Sequence, residues 1–401
     1  MAKKKQLQSS SDLEGDIMNA DVDAVLEDLY KSFGKGIAFR TQDVDKAYVK
    51  PIVSTGILSL DQALGIGGIP EGIIVELFGK QMSGKSSLAM KIAGNAQNLG
   101  YTVFYIDAEY ALDLKLAENT GINVNASNFV VIQPDYGEEA FSTIETVLDS
   151  KLKSIIIVDS VAALLPKEEF DSDLMDKDRL GRIAALMSRS LRKLAGKISK
   201  AGCSVIFVNQ TRDQIGGFGF AGMKTTGGHA LKFYSSVRLK ITRAENSTIK
   251  HDKEIIGHKA LITVEKNKLA RPFKKIEVDL FYGSGFSGLS DIVQLAVHEG
   301  IVAKAGAWYS YGGEQVAQGF IGTLEWFINN KTAYIEMRDS VLKVLDINDL
   351  KHSDMYIDKT LAIKDNVIGI SAPLVTEVED TDNEPTGSSN IADILKDEFD
   401  A

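Results

Sequence analysis

Eight residues, Gly79-Lys80-Gln81-Met82-Ser83-Gly84-Lys85-Ser86, fit the pattern G-x-x-x-x-G-K-[ST]. They lie between an apolar run that reads as a strand and a helix-forming stretch that opens with Ser86 and Ser87. That spacing offers a cradle for phosphate. The glycines let backbone N–H groups turn inward on phosphate oxygens, Lys85 neutralises β/γ charge, and the Ser86 hydroxyl ligates Mg²⁺. The following helix aims its positive end at the same anion. Asp159 ends the most apolar strand of the chain, the place from which a carboxylate holds Mg²⁺ beside such a loop; its plainer role is to cap the next helix. Glu109 follows the strand Thr102–Asp107 closely, where an acid can orient an attacking water or accept its proton. Asp107 competes for that task, and spacing alone does not separate the two.

The elements that must hold these groups are legible as short apolar runs alternating with helical stretches from Ser54 to about Gly283. Candidate strands are Ile73–Phe78, Thr102–Asp107, Phe129–Gln133, Ser154–Asp159 and Cys203–Gln210. Ile155-Ile156-Ile157-Val158 is apolar at successive positions, which suits a parallel sheet covered by helices on both faces. Ser236–Thr242, Lys259–Glu265 and Ile276–Tyr282 then follow with too little sequence for crossover helices, so they read as antiparallel additions. The fold class is therefore α/β: a mostly parallel twisted sheet with flanking helices. Gly283–Gly288 marks a boundary, and a small α/β module follows over 289–350, with helices near 289–299 and 320–329. At the other end, within residues 1–50, Val22, Val25, Leu29 and Phe33 lie at helical spacing over Asp21–Phe33, and their stripe must be buried on the domain or on a neighbouring subunit. Residues 51–288 form the core, and 351–401 read as an acidic, disordered tail.

The chain has 401 residues, 45 basic and 55 acidic, with a net charge of −10. The single cysteine, Cys203, excludes an internal disulfide framework and a Cys-based zinc cluster, and suits a reducing cytosol. Met1-Ala2-Lys3-Lys4-Lys5 runs into polar sequence, so no secretory signal or membrane span is expected and the expected location is cytoplasmic. Taken at face value, −10 argues against nucleic acid as a partner. Residues 377–401, however, hold nine acids and Lys396 as the sole base, −8, which leaves 44 basic against 46 acidic residues elsewhere. The body is nearly neutral, and the total charge is a poor guide to the partner.

Several blocks together resemble the bacterial RecA recombinase family: Leu58-Ser59-Leu60-Asp61 with Ala63-Leu64-Gly65, the phosphate loop, Ile106-Asp107-Ala108-Glu109, and Val158–Leu164. So do Asn209-Gln210, Thr225-Thr226-Gly227-Gly228, Ala230–Tyr234, Lys266-Asn267-Lys268 and Ala305–Tyr311, in order, from about Phe33 to Leu342. The resemblance implies a RecA-type ATPase core with an N-terminal polymerisation arm, and a DNA-dependent ATPase that forms helical filaments on single-stranded DNA. Its function would be homologous pairing and strand exchange with duplex DNA, using ATP and Mg²⁺. Glu109, rather than Asp107, matches the glutamate that activates water. Gln210 matches the γ-phosphate sensor, and Lys266 and Lys268 match lysines that reach a neighbour's γ-phosphate in trans, as arginine fingers do. On their own, these two lysines read as a solvated strand face. Asp113 and Tyr282 match base-contacting positions, Phe233 an interface aromatic, and Ser188 and Arg192 positions that hold the DNA backbone. Thr211–His229, with six glycines, Arg212, Phe218 and Lys224, resembles the second DNA-binding loop and Pro166–Leu180 the first. The partner set implied also includes a LexA-like repressor and a single-strand-binding protein, and no membrane.

Departures from the family pattern are Gln81 for a glutamate, Leu116 for a tyrosine that packs on adenine, and acids in the first loop (Asp171, Asp173, Asp176, Asp178). Ala185 replaces an arginine, Met223 a glutamate, His229 an asparagine and Phe320 a lysine, while Lys304 is kept. A ring-forming motor of the same fold would share the phosphate loop and Asp159, but would not need Thr225–Gly228 or Ala305–Tyr311.

Overall fold

The computed structural model describes residues 10–34, 37–38, 40, 50–171, 181–212, 224–251 and 253–345. Phe218, Met223, the loop acids Asp173, Asp176 and Asp178, and the tail 377–401 lie outside them, as do the side chains of Arg212 and Lys224.

An N-terminal helix, α1 (Ser10–Phe33), precedes the core and starts earlier than the apolar stripe indicated. Val22, Val25 and Phe33 on it are exposed in the single chain. In chain order the core then runs β1 (Ile52–Val53), α2 (Leu58–Leu64), β2 (Ile69–Pro70), β3 (Ile74–Gly79), α3 (Lys85–Asn98), β4 (Thr102–Asp107), α4 (Leu114–Asn119) and β5 (Phe129–Ile132). It continues through α5 (Gly137–Ser150), β6 (Ser154–Asp159), α6 (Lys167–Phe170), α7 (Arg182–Ala201), β7 (Ser204–Arg212), β8 (Lys224–Thr225) and α8 (Ala230–Tyr234). A long ribbon follows, β9 (Val237–His251) and β10 (Glu254–Asn267), then β11 (Lys275–Phe281) and β12 (Gly285–Phe286).

The main sheet has the order β5-β4-β6-β7-β3-β9-β10-β11-β12. Side chains of successive strand residues point to opposite faces, and both faces are covered. Ile155 and Ile157 enter one core with Leu88 and Ile92 of α3, while Ile156 and Val158 enter another with Ile144 of α5 and Leu191 of α7. This explains the unbroken apolar run of β6. One expectation needs correction. β9 is not an antiparallel addition: it pairs with β3 in parallel, Val75 opposite Val237. Only β10, β11 and β12 add antiparallel. The short helix α8 lies in the crossover that allows this, and its 5 residues are too few for a helical period to show in the sequence. The strands of the ribbon also extend well beyond Ser236–Thr242 and Lys259–Glu265.

The C-terminal module contains α9 (Gly288–His298), a three-stranded antiparallel sheet of β13 (Ala303–Ala305), β14 (Trp308–Tyr311) and β15 (Glu314–Gln318), α10 (Phe320–Asn329) and α11 (Lys331–Val344). Helix α11 was not anticipated. Its buried residues Tyr334, Met337 and Val341 join Phe327 and Leu324 of α10 in a separate core. Among the described residues no helix is long and apolar enough to cross a membrane.

Candidate functional site

Parallel register brings the ends of four strands to one edge of the sheet. Gly79 lies opposite Gln210, and Asp107 opposite Asp159. The phosphate loop leaves this edge between β3 and α3. Its first glycine is fixed by close approach, since a Cβ at Gly79 would lie 2.0 Å from the Ile241 carbonyl oxygen. Gly84 adopts φ +96°, a left-handed conformation that favours glycine, and a Cβ there would meet Leu280 at 2.3 Å. Lys80, Gln81 and Met82 form the exposed crest of the loop, while Ser83 is buried. Lys85 is buried at the start of α3, where its Nζ donates to the Lys80 carbonyl at 2.8 Å. Burial pushes its ammonium below the ordinary lysine range, and the charges of Asp159 and Glu109 oppose that.

Asp159 is hydrogen-bonded to Ser86, and the Tyr105 hydroxyl donates to its Oδ2 at 2.7 Å. Burial raises the Asp159 carboxyl, with these two hydrogen bonds working against it. Tyr105 is a contact that sequence reading missed. It lies in a strand of ordinary β-formers, and its phenol is distinguished only by the neighbour that β6 supplies.

The competition between Asp107 and Glu109 has a clear geometric counterpart. Asp107 is 2% exposed. Its oxygens accept from Ala111 N (3.1 Å), Leu112 N (3.2 Å) and Gln133 Nε2 (3.1 Å), so it folds the turn after β4. Glu109 is exposed, and its Oε1 accepts from Gln210 Nε2 at 3.0 Å and from the Ser160 hydroxyl. Glu109, Gln210, Asp159 and Lys85 thus form one electrostatically coupled group at the sheet edge.

The site also carries signs of fit for a magnesium–nucleotide. The Ser83 hydroxyl is buried without a hydrogen-bond partner among the described residues, and the glycine cradle has no room for side chains at Gly79 or Gly84. Oxygen donors, Ser86 and Asp159, suit a hard cation. Asp113 caps α4, its Oδ1 accepting from Leu116 N at 3.0 Å, and Leu116 packs against the core. Tyr282 is half-exposed just before Gly283, whose carbonyl accepts from Asn119 Nδ2 at 2.6 Å. Helix α4 and the β11–β12 turn are therefore tied together.

Lys266 and Lys268 are not brought to this chain's own phosphate loop. Lys266 lies opposite Arg238 near the start of β9, and Lys268 N donates to the Ser236 carbonyl at 2.9 Å. That places them level with the beginning of β3, whereas the phosphate loop follows its end. Lys266 Nζ donates to the carbonyls of Lys232 (2.6 Å) and Phe233 (3.1 Å) at the end of α8. Phe233 itself is 72% exposed. Burial, followed by the like charges of Lys268 and Arg238, lowers the Lys266 ammonium.

The returning limb of the glycine-rich loop is anchored in the core. Thr226 N donates to the Gln210 carbonyl at 3.3 Å, and Asn209 Nδ2 donates to the Thr226 carbonyl at 3.0 Å. Asn209 Nδ2 also reaches Glu76 Oε1 at 2.9 Å, and Glu76 pairs with Arg238 at 2.5 Å. Gly227 and Gly228 lie against Met187 and Ala184 of α7. On α7, Ser188 is half-buried and Arg192 exposed, one turn apart. The buried stripe of α7 is Leu186, Met187, Leu191, Leu194 and Ile198, with Ile183 only partly covered. On the same helix Lys193 pairs with Glu145 (2.6 Å), and Lys197 with Glu145 (2.7 Å) and Asp149 (3.1 Å).

A phosphate loop between β3 and α3, with an acid at the end of β6 in a mostly parallel sheet, defines a P-loop NTPase. Comparison with known families gives the narrower class. The RecA N-terminal domain matches residues 20–287 and the RecA C-terminal domain residues 290–346. The chain is 41% identical over 362 residues to Protein RecA of Leptospira meyeri, covering 90% of this chain and 92% of that one. It is 44% identical over 322 residues to Protein RecA of Chloroherpeton thalassium, covering 80% and 88%. With Protein RecA of Limosilactobacillus reuteri it shares 42% over 326 residues, covering 81% and 88%. The chain belongs to the RecA family. It is an ATP-dependent DNA recombinase of recombination and repair that binds DNA and forms filaments.

Proposed function

We propose that this chain hydrolyses ATP to ADP and phosphate at the edge formed by β3, β4, β6 and β7, and that the site is completed by a neighbouring subunit of the filament. Lys85, Ser86 and Asp159 would hold the magnesium–nucleotide, with Gly79 to Ser87 around the phosphates and Asp113 and Tyr282 at the base; the metal, when bound, supplies neutralisation of phosphate charge. The observation that carries the reading is the grouping of Glu109, Gln210, Asp159 and Lys85 at one edge, while Asp107 is consumed by the turn.

In this reading Glu109 accepts the proton of the attacking water. Its contact with Gln210 gives the sensor a direct hold on the base, and Gln210 is bonded through its carbonyl to the returning limb of the glycine-rich loop. Lys266 and Lys268, which lie away from their own phosphate loop, serve the neighbour's, with Phe233 and α1 at the contact between subunits. Single-stranded DNA would lie along Ser188, Arg192, Gly227 and Gly228, with Arg212 and Phe218 from the loop. Sequence matching is left to base pairing, so backbone contacts suffice. The fold and cysteine usage suit the cytoplasm, and a LexA-like repressor and a single-strand-binding protein are natural partners of such a filament.

Glu109→Gln keeps the size of the side chain and removes the base. Steady-state ATPase with single-stranded DNA should fall by ~10²–10⁴-fold while filaments still form with ATP; hydrolysis at the parental rate would remove Glu109 from the role. Lys85→Ala should abolish turnover in the same assay.

A further inference from the structure

Helix α2 packs against α9, β10 and β11, and each end is held by a side chain from a distant part of the chain. Its N-cap residue, Ile57, supplies no side-chain cap. Asp291, in the first turn of α9, supplies one from the C-terminal module. Its carboxylate accepts from Ser59 N (2.9 Å), Ser59 Oγ (2.5 Å) and the Leu58 backbone. At the other end of α2 the Leu64 carbonyl accepts from Asn267 Nδ2 at 3.0 Å, and the Gln62 carbonyl from Lys274 Nζ at 3.3 Å.

Asn267 is the residue between Lys266 and Lys268. Its Oδ1 accepts from Leu269 N (2.9 Å) and Ala270 N (3.2 Å), so one side chain both folds the turn after β10 and ties it to α2. The middle of α2 has no slack. Leu60, Ala63 and Leu64 are buried, and Asp61 accepts from Thr55 N (2.9 Å) and Thr55 Oγ1 (2.7 Å) as well as from Ser54. At ~1.5 Å per residue α2 is a rigid strut of roughly 10 Å.

We propose that Asn267 and, through α2, Asp291 are positioning residues for the lysine pair, so that a subunit's C-terminal module sets where its cations meet the neighbour's nucleotide. A lysine is a point charge on a flexible stem, so its placement depends on a fixed backbone. The side chain of Lys268 is exposed, and its backbone is set by the turn that Asn267 builds and by the bond from Lys268 N to the Ser236 carbonyl. This proposal rests on the reading of Lys266 and Lys268 as groups acting in trans.

The test uses the full chain on single-stranded DNA. Asn267→Ala should lower kcat for ATP by ~10–100-fold, the scale of a misplacement of about 1 Å, with KM changed by less than about threefold. Asn267→Asp keeps the acceptor that folds the turn and loses the donor to Leu64; it should show the same loss, and a parental kcat would overturn the strut. Asp291→Asn should lower kcat in the same direction. The discriminating measurement co-assembles Asn267→Ala subunits with Glu109→Gln subunits, which cannot hydrolyse but keep intact lysines. The mixed filament should turn over ATP faster than the sum of its two components, an outcome that a folding defect in the variant cannot produce. Lys268→Ala mixed with Glu109→Gln is the control. If the control pair fails to complement, the trans reading falls, and this proposal with it. If the control complements and the Asn267→Ala pair does not, or Asn267→Ala keeps parental kcat, the positioning role alone is overturned.

Discussion

Glu76 sits in the middle of β3 and is fully buried, as a carboxylate rarely is unless paired. One oxygen takes Arg238 Nε at 2.5 Å and the other Asn209 Nδ2 at 2.9 Å, while the Arg238 guanidinium lies 4.4 Å from the centroid of the Phe78 ring. Glu76→Gln keeps the shape and one of the two accepting oxygens but leaves a guanidinium 7% exposed without its counter-charge. Removing one member of a buried pair costs about 3–5 kcal/mol, and the one oxygen that Gln keeps for Arg238 puts this variant near the low end. At ~2–4 °C per kcal/mol for a domain of this size, the melting temperature should fall by roughly 6–12 °C. Urea unfolding followed by circular dichroism measures the loss. The double variant Glu76→Gln/Arg238→Met, which removes both charges, should recover most of it, giving a coupling energy that separates the pair from simple packing. A Glu76→Gln protein that unfolds within about 1 kcal/mol of the parent, with no coupling to Arg238, would refute the claim that this pair is desolvated and structural.

Tyr105→Phe removes the hydroxyl that stabilises charged Asp159, so the Mg²⁺ concentration for half-maximal ATPase should rise, and more at pH 6 than at pH 8; an unchanged midpoint would contradict the assignment. Burial raises Asp61 to about 7, above its unfolded value of 3.8, so the folded state binds that proton more tightly and its contribution to stability is lost as pH rises from about 4 to 7. Unfolding free energy of the parent relative to Asp61→Asn should therefore decline across that window, by at most about 1.4 kcal/mol per pH unit. If the −8 carried by residues 377–401 competes with DNA for basic surface, deleting them should strengthen duplex binding while lessening its dependence on Mg²⁺; unchanged affinity would remove the tail from that role.

The parts of the molecule visible in the sequence are those with local signatures. β6 is apolar at every position because it is covered on both faces, and the phosphate loop is spelled out by residues that must approach backbone or turn left-handed. What stayed hidden depends on partners far away in the chain. Glu76 interrupts an apolar strand, and nothing near it in sequence announces Asn209 or Arg238. Tyr105 reads as an ordinary strand aromatic until β6 sets Asp159 beside it. β9 reads as antiparallel because α8, the helix in the crossover that makes it parallel to β3, is only 5 residues long. Helix α11 has an apolar face only three or four residues deep, which the preceding α10 masks. The role proposed for Lys266 and Lys268 needs a second subunit, so neither periodicity nor a single chain could assign it.

The central claim is that hydrolysis at the β3–α3 edge is completed by a neighbouring subunit on DNA. The most direct test is the ATPase rate of the full chain with and without single-stranded DNA, read alongside electron microscopy of the same samples. Turnover should appear with DNA, together with helical filaments, and be nearly absent from dilute protein without it. Equal turnover by dilute, unassembled subunits would contradict the account.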